Sequence, residues 1–307
     1  SGTPVRKEVY NYEFTKGTSI KGVKLYQPAM DTDNLYIKFY DMDSSWNKLL
    51  NKTITEYTPA GGLILQTTEN YTYEPSNYKV KEMKVTGSKS GITYRKVLEY
   101  PVNLKSSAAC YQQMVDNQML NPVVEERNYT LQGTTQALQD TKRTMYSTFG
   151  GKILPSSILQ NKEKGGSVLA ERIRTTHYDK NGKPNDYVKG GLEKVTYLWG
   201  YDSMYPVVKI EGATYAEVEG WLGAATINNL ASNATTVDSA LNTIRNTLSG
   251  KGVLVTTYTY TPLVGMTSMT APNGEKSTYE YDSLGRLTKV KNHNGKIVEQ
   301  YDYHYKN

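Results

Sequence analysis

The order of residues predicts an all-β protein of repeated antiparallel β-hairpins, forming a curved or partly wrapped sheet with a few short helices inserted. Three observations carry that expectation. Tyrosine supplies 27 of 307 residues, against 3 Phe and 3 Trp. Many tyrosines stand two apart, as in Tyr258 and Tyr260, Tyr279 and Tyr281, or Tyr301, Tyr303 and Tyr305, the spacing of side chains on one side of an extended strand. A longer form, Tyr-Asp-x-x-Gly-basic, occurs as Tyr281-Asp282-Ser283-Leu284-Gly285-Arg286 and as Tyr178-Asp179-Lys180-Asn181-Gly182-Lys183, and Tyr301-Asp302 returns 20 residues after Tyr281-Asp282.

From the N-terminus, segments 8–14, 23–26, 35–39, 53–57, 63–73, 78–86 and 92–100 are rich in Thr, Val, Ile and Tyr and read as successive strands. Pro59-Ala60-Gly61-Gly62, Glu74-Pro75-Ser76-Asn77 and the Gly- and Ser-rich stretch 87–91 supply turn chemistry between them. Ser107 is placed to cap a short helix whose apolar positions Tyr111, Met114, Val115 and Met119 share a face, with Asn121-Pro122 stopping it. Residues 125–148 return to alternating strands, and Gly150-Gly151-Lys152 reads as a plain turn, because Ile153 stands where a phosphate loop needs Ser or Thr.

Segments 168–178 and 193–199 are expected to form a hairpin around Asn181-Gly182, Pro184 and Gly190-Gly191. Thr214 with Glu217 forms a capping box that opens a short helix. Val237, Ala240, Leu241, Ile244 and Leu248 then follow helical spacing, with Thr236 as the cap and Gly250 at the end. Strands resume over 253–260, 266–270, 277–281, 287–290 and 297–305. Two regions are expected: 1–169, a β-hairpin region continuing the same repeat sheet, and 170–307, a repeat region with a helical insertion around 214–249.

Each part of the six-residue form has a structural use. The Tyr ring covers a sheet face while its hydroxyl finds water or backbone. Asp accepts backbone N–H groups in the turn, and Gly takes the positive φ at which the chain reverses. On these residues, Tyr281 through Val290 resembles one copy of the YD repeat of bacterial RHS proteins, with Tyr178, Asp179 and Gly182 in a second copy and Tyr301 and Asp302 in a partial third. The stretch Tyr197-Leu198-Trp199-Gly200-Tyr201-Asp202-Ser203-Met204-Tyr205-Pro206 is similar to the C-terminal part of large RHS-like proteins, and at Tyr201-Asp202 the Gly position holds Tyr205, so a different turn is expected there.

The resemblance implies a strip of β-sheet of the kind that spirals into a hollow shell, sometimes around a toxin domain, in an exported protein at the surface of a Gram-negative bacterium. It also implies that this chain is part of a longer polypeptide, and three copies are too few to close a shell. The family's self-cleaving core carries Asp-Pro-x-Gly motifs, and the sequence contains no Asp-Pro pair, so self-proteolysis is not implied.

Chemistry is sparsely signalled. His177, His293 and His304 are scattered, Cys110 is the sole cysteine, and no metal-ligand or nucleophile-elbow spacing occurs; no catalytic, cofactor-binding or metal residue is expected. Asp31-Thr32-Asp33-Asn34 and Asp41-Met42-Asp43-Ser44 lack the Gly and distal Glu of a calcium loop and read as turn-forming, solvated carboxylates. The charge of +6 comes from 36 basic and 30 acidic residues spread evenly, without the basic stripe a nucleic-acid partner demands. A mean hydropathy of −0.61 accompanies the lack of any apolar run long enough to span a membrane.

The sequence therefore points to a non-catalytic structural or interaction module whose partner is a protein or a cell-surface glycan. The alternative is a carbohydrate-binding module, with Trp199, Tyr201 and Trp221 as stacking candidates and Trp46 as a further indole. An enzyme acting on polysaccharide is the least favoured reading.

Overall fold

A computed structural model describes residues 5–27, 34–87, 91–233 and 238–304. Among them the chain forms seventeen strands with only antiparallel pairings, interrupted by short helices. The expected all-β hairpin array is what is found.

Two compact units divide the chain. The first comprises residues 1–104, 118–141 and 163–167. It holds β1 (Arg6–Tyr26), β2 (Tyr36–Tyr57), β3 (Leu63–Tyr73), β4 (Val80–Gly87), β5 (Ile92–Glu99), the turn of helix α1 (Pro101–Leu104), β6 (Glu125–Gln132) and the opening of β7 (Thr135–Phe149). From β1 to β6 each strand pairs with the next in sequence.

Here the expected breaks at 14–23 and 39–53 do not occur. β1 and β2 run as single strands of 21 and 22 residues, because a bulge at Lys16/Ser19 absorbs Gly17 without ending the ladder. A Cβ at Gly17 would lie 2.2 Å from the Ser44 hydroxyl, so glycine admits the crossing side chain rather than a turn. Asp41 and Asp43 lie inside β2, not in a turn, and bond the ammonium groups of Lys21 and Lys16 at 2.6 and 3.0 Å. Asp31-Thr32-Asp33 falls outside the described residues.

The second unit comprises residues 105–117, 142–162 and 168–307. It holds α2 (Ala109–Asp116), the close of β7, β8 (Lys152–Asn161), β9 (Leu169–Arg174), β10 (Asp186–Lys189), β11 (Glu193–Gly200), β12 (Tyr205–Glu211), α3 (Tyr215–Leu222), α4 (Ala224–Ser232) and α5 (Asp238–Leu248). The array ends with β13 (Leu254–Thr261), β14 (Gly265–Thr270), β15 (Lys276–Tyr281), β16 (Leu287–Lys291) and β17 (Ile297–Gln300). From β7 to β17 each strand again pairs with its successor.

Two expectations need correction in this unit. The residue before α2 is Ala108, which makes no side-chain cap, so Ser107 is not the cap; the helix ends at Asp116, where the Asn117 amide side chain donates to the Gln113 carbonyl, well before Pro122. Segments 168–178 and 193–199 do not pair with each other. The short strand β10 lies between them, pairing with β9 on one edge and β11 on the other, while Asn181-Gly182 closes only the bridge of Tyr178 to Pro184.

The helices sit on the best-buried core. Leu198, Val208 and Ile210 of the sheet meet Val218, Ile244 and Leu248 of the helices, all nearly or fully buried. Burial of such a side chain contributes roughly 1.5–3 kcal/mol relative to exposure. α3 begins with the expected capping box: the Thr214 N–H donates to Glu217 at 2.7 Å and the Glu217 N–H to the Thr214 hydroxyl. Those bonds to Thr214, then Lys194, pull the Glu217 carboxyl down to about 2. α4 was not foreseen, since Asn228, Asn229 and Ser232 dilute its apolar period. Thr236 and Val237 fall outside the described residues, and α5 runs out two residues before Gly250, whose φ is 78°.

Candidate functional site

The six-residue form folds into one recurring joint. At Asp282 the carboxylate Oδ1 accepts the N–H groups of Leu284 and Arg286, each at 2.9 Å, while Gly285 reverses the chain at φ 74° and donates to the Asp282 carbonyl. Asp179 repeats this atom for atom with Asn181, Lys183 and Gly182, whose φ is 82°. The same loop recurs where the form is absent from the sequence. Asn292 accepts from Asn294 and Lys296 with Gly295 at φ 75°, and the Thr58 hydroxyl accepts from the Gly62 N–H at 2.9 Å with Gly61 at φ 86°. Asp, Asn and Thr thus each offer this turn a side-chain oxygen.

Tyrosine works one step beyond the turn. The Tyr281 hydroxyl donates to the Met266 carbonyl and the Tyr303 hydroxyl to the Leu287 carbonyl, both at 2.8 Å. Tyr260 reaches the Pro206 carbonyl, Tyr178 that of Pro155, Tyr73 that of Leu49 and Tyr100 that of Val80, at 2.6 to 3.2 Å. Each of these carbonyls belongs to a residue facing a ladder irregularity in the preceding hairpin: Met266 faces Tyr260, Leu287 faces Tyr281, and Val80 faces Tyr73. A bulge leaves a backbone group without its ladder partner, and the next hairpin's phenol supplies the missing donor. Phe cannot do this, which accounts for its scarcity.

The spacing of two is thereby explained. In the pairs Tyr71/Tyr73, Tyr258/Tyr260, Tyr279/Tyr281 and Tyr301/Tyr303 it is the second ring that latches. In Tyr197/Trp199 the indole takes the role, donating Nε1–H to the Pro184 carbonyl at 3.2 Å. This corrects the third expected copy. By its latch Tyr303, not Tyr301, corresponds to Tyr281; the Tyr301 hydroxyl donates to Glu299 instead. Tyr305 lies outside the described residues.

At four of these latches the residue preceding the acceptor carbonyl lies against the latch ring. The Arg286 guanidinium lies 4.5 Å from the Tyr303 ring centre, and the Lys183 ammonium 4.7 Å from that of Trp199. Tyr205 stacks on Tyr260 with centroids 4.7 Å apart. A Cβ at Gly265 would lie 2.5 Å from the Tyr281 hydroxyl oxygen, so glycine is needed for the ring to lie flat there. Arg286 also closes back on Asp282 at 2.6 Å; its backbone N–H first, then its guanidinium, lowers that carboxyl. Lys183 instead donates to the carbonyls of Ser203 and Met204, and its Asp179 keeps a buried, unpartnered Oδ2.

The turn at Tyr201-Asp202 differs, as expected from the missing Gly. Tyr201, Asp202 and Ser203 follow one another at φ 53°, 55° and 57°, a left-handed run costing roughly 1–2 kcal/mol per residue for non-glycine side chains. Its Ser203 N–H donates to the Ala231 carbonyl at 2.8 Å, and the Asp202 N–H to that of Asn233, so the run also caps the end of α4. Tyr201 is 4% exposed and accepts the Tyr260 N–H on its hydroxyl. It cannot present a face to a ligand, which removes it from the stacking candidates. Trp221 packs against the helical core.

Trp199 lines a cleft of about 570 Å³, whose walls also include Phe149, His177, Tyr178, Glu219 and Asn228. His177 stacks on Tyr215 with centroids 3.7 Å apart and planes 7° from parallel. Burial first, then Glu219, pushes the Tyr215 phenol up to about 12. Beneath them Asp186, 1% exposed, accepts from the Thr176 N–H and hydroxyl, the His177 N–H and the Tyr215 N–H. That carboxylate ties β10 to the start of α3 and fixes the cleft floor. Nothing in the sequence marks it, since its partners are 9 to 29 residues away. Among the described residues no cluster of three His, Cys, Asp or Glu is arranged to hold a metal ion, and no helix is long and apolar enough to cross a membrane.

A family model described as RHS Repeat matches residues 264–297, the stretch that holds the Tyr281 latch, the Asp282 turn and the Asn292 turn. No curated protein matches the sequence. Among solved structures, the crystal structure of TcdB2-TccC3-TEV is similar over 96% of this chain and 16% of that one, at 10% identity and a TM-score of 0.46. TcdB2-TccC3 without its hypervariable C-terminal region is similar over 96% and 19%, at 8% identity and 0.32. For the Photorhabdus luminescens Tc holotoxin pore with a mutation in TccC3 the values are 96% and 19%, 10% and 0.30. The chain spans less than a fifth of each of these. The family match lies on the latched turn and its neighbours, so residues 264–297 are an RHS repeat.

Proposed function

We propose that this chain is a non-catalytic structural module of a longer, exported bacterial RHS/YD-repeat protein at the cell surface, and that it engages a protein partner through a sheet face or edge. The observation that carries this reading is the use made of the signature residues. The Tyr and Asp positions of the repeat are spent on backbone groups of the chain itself, Gly on the reversal and the basic residue on the latch ring beside it, each latch satisfying a carbonyl that its neighbouring hairpin leaves open. Residues committed in this way supply shape and stability, not chemistry.

The carbohydrate-binding alternative, written as a strip of exposed rings along the sheet, is not favoured: most repeat tyrosines are anchored by their hydroxyls and Tyr201 is buried. The test is a glycan array probed with the folded chain and with Tyr279→Ala and Tyr301→Ala variants, which remove non-latching rings. The structural reading predicts no binding that depends on these rings. Selective binding lost in both folded variants would transfer the function to the sheet face.

A further inference from the structure

Beyond the structural reading, we infer that the cleft beside α4 is a binding site for a guanidinium group, borne by free arginine or by an arginine side chain of a partner protein. The inference rests on a difference between the two complete copies of the six-residue form. Both use one carboxylate oxygen in the same way: Oδ1 of Asp282 and Oδ1 of Asp179 each accept two turn amides, at 2.8 to 2.9 Å. They part at the second oxygen. Asp282 Oδ2 accepts Nε and Nη2 of Arg286 at 2.7 and 2.6 Å, and the same guanidinium lies 4.5 Å from the Tyr303 ring centre. Asp179 Oδ2 is buried without a hydrogen-bond partner. The basic position of this copy holds Lys183, whose ammonium is drawn away to the carbonyls of Ser203 and Met204.

A buried acceptor left without a donor is costly and calls for an explanation. The copy that carries it is the one that lines the cleft, whose volume of about 570 Å³ falls within the range of small-molecule sites. An oxygen that the chain leaves open thus belongs to a residue at the wall of a space that can admit the missing donor.

The chain itself shows which donor fits. At Arg286 a planar cation donates through two nitrogens to a carboxylate while lying over an aromatic ring, a combination that suits guanidinium and not the compact point charge of an ammonium. The cleft offers both halves again. Beside Asp179 stand the rings of Tyr178 and Phe149, with centroids 4.8 Å apart. The Trp199 indole already carries the Lys183 ammonium, 4.7 Å from its centre, so Tyr178 and Phe149 are the rings assigned to the ligand. Glu219 supplies a second carboxylate to the walls. Lys152 and Lys180 line the cleft as well, the Lys152 ammonium held on the Lys180 carbonyl at 2.7 Å. They provide a counter-charge for the carboxylate of free arginine, which an arginine within a protein lacks.

The test is isothermal titration of the folded chain with free arginine and with N-acetylarginine methylamide, with citrulline and N-acetyllysine methylamide as controls. At least one arginine probe is expected to bind saturably, and citrulline, which keeps the shape without the charge, to bind at least about tenfold more weakly than arginine. Binding of free arginine alone identifies an amino-acid ligand, and binding of the blocked form identifies a protein side chain. Asp179→Asn should weaken the bound probe by about tenfold or more while keeping the fold, since Asn292 builds the same turn with its amide oxygen. Lys183→Arg is the converse: it supplies the missing guanidinium from the chain itself, as Arg286 does, and should abolish binding. No saturation by either arginine probe, unchanged affinity in either folded variant, or equal binding of citrulline or of the lysine probe would each overturn the inference. The latches are read separately, from unfolding of tyrosine variants, so failure here leaves the structural reading standing.

Discussion

The Tyr281 phenol donates to the carbonyl of Met266 across 2.8 Å, and its ring lies where a Cβ on Gly265 would have to be. One residue thus closes a bulge in the preceding hairpin and dictates glycine beside it. Because Met266 itself faces Tyr260, whose own hydroxyl reaches back to Pro206, the latches run in series through β12 to β16 and on to Tyr303.

Gly265→Ala should destabilise the chain, because the new methyl would meet the Tyr281 hydroxyl and ring carbons at 2.5 to 3.0 Å. Gly265 also has φ 159°, which L side chains rarely adopt, so a smaller conformational cost adds to the steric one and persists without the ring. The expected cost is about 1–3 kcal/mol, typical of overpacking, measured by urea denaturation. In a Tyr281→Ala background the same change should cost much less, and equal cost in both backgrounds would show that the ring is not what excludes Ala.

Asp282→Ala removes the acceptor of two turn amides and the partner of Arg286. Asp282→Asn keeps the oxygen for the amides and weakens only the partly exposed ion pair. Thermal unfolding should therefore rank Ala well below Asn, with Asn close to the parent. Equal losses would mean the ion pair, not the turn, is what Asp282 provides.

Asp202 is exposed and sits at φ 55° in the middle of the left-handed run. Asp202→Gly should leave the fold unchanged and raise stability by up to about 1 kcal/mol, since glycine occupies this region without steric cost. A fall in the unfolding midpoint would show that the run is not strained at this residue.

Stability should fall in alkali, within a defined window. Burial, with neighbouring tyrosines second, pushes the Tyr260 phenol up to about 12 from its ordinary 10.0, and burial likewise takes Tyr197 and Tyr215 to about 12. The neutral phenol is the form the fold favours. Below pH 10 both folded and unfolded chains keep these protons and the full stability is present; between about 10 and 12 the unfolded chain releases them first and stability is lost. Urea midpoints measured from pH 9 to 12 should decline over that interval, and a flat profile would contradict the burial of these rings.

Much of the architecture was written locally. Asp, Asn or Thr before a glycine at the right offset fixes several turns by its own atoms, and the Thr214 box is complete within four residues, so strands, turns and the opening of α3 could be read from spacing. What could not be read depends on partners distant in sequence. Gly17 looked like a break but serves as room for Ser44; β10 is short and wins its place by pairing on both edges. Tyr303 rather than Tyr301 is the latch because of register, not local pattern. Tyr201 was offered as an exposed ring, and only the packing of the helices on β12 and β13 shows it buried. The use of the hydroxyl was nonetheless foreshadowed by the ratio of tyrosine to phenylalanine.

The most direct measurement compares urea unfolding of Tyr281→Phe and Tyr303→Phe with that of Tyr279→Phe, a ring in the same strand as Tyr281 that does not latch. Loss of the phenolic donor should leave the Met266 or Leu287 carbonyl unsatisfied and cost about 1–3 kcal/mol at each latch, while Tyr279→Phe should stay within about 0.5 kcal/mol of the parent. Equal and small effects at all three positions would contradict the latch as the reason this chain uses tyrosine.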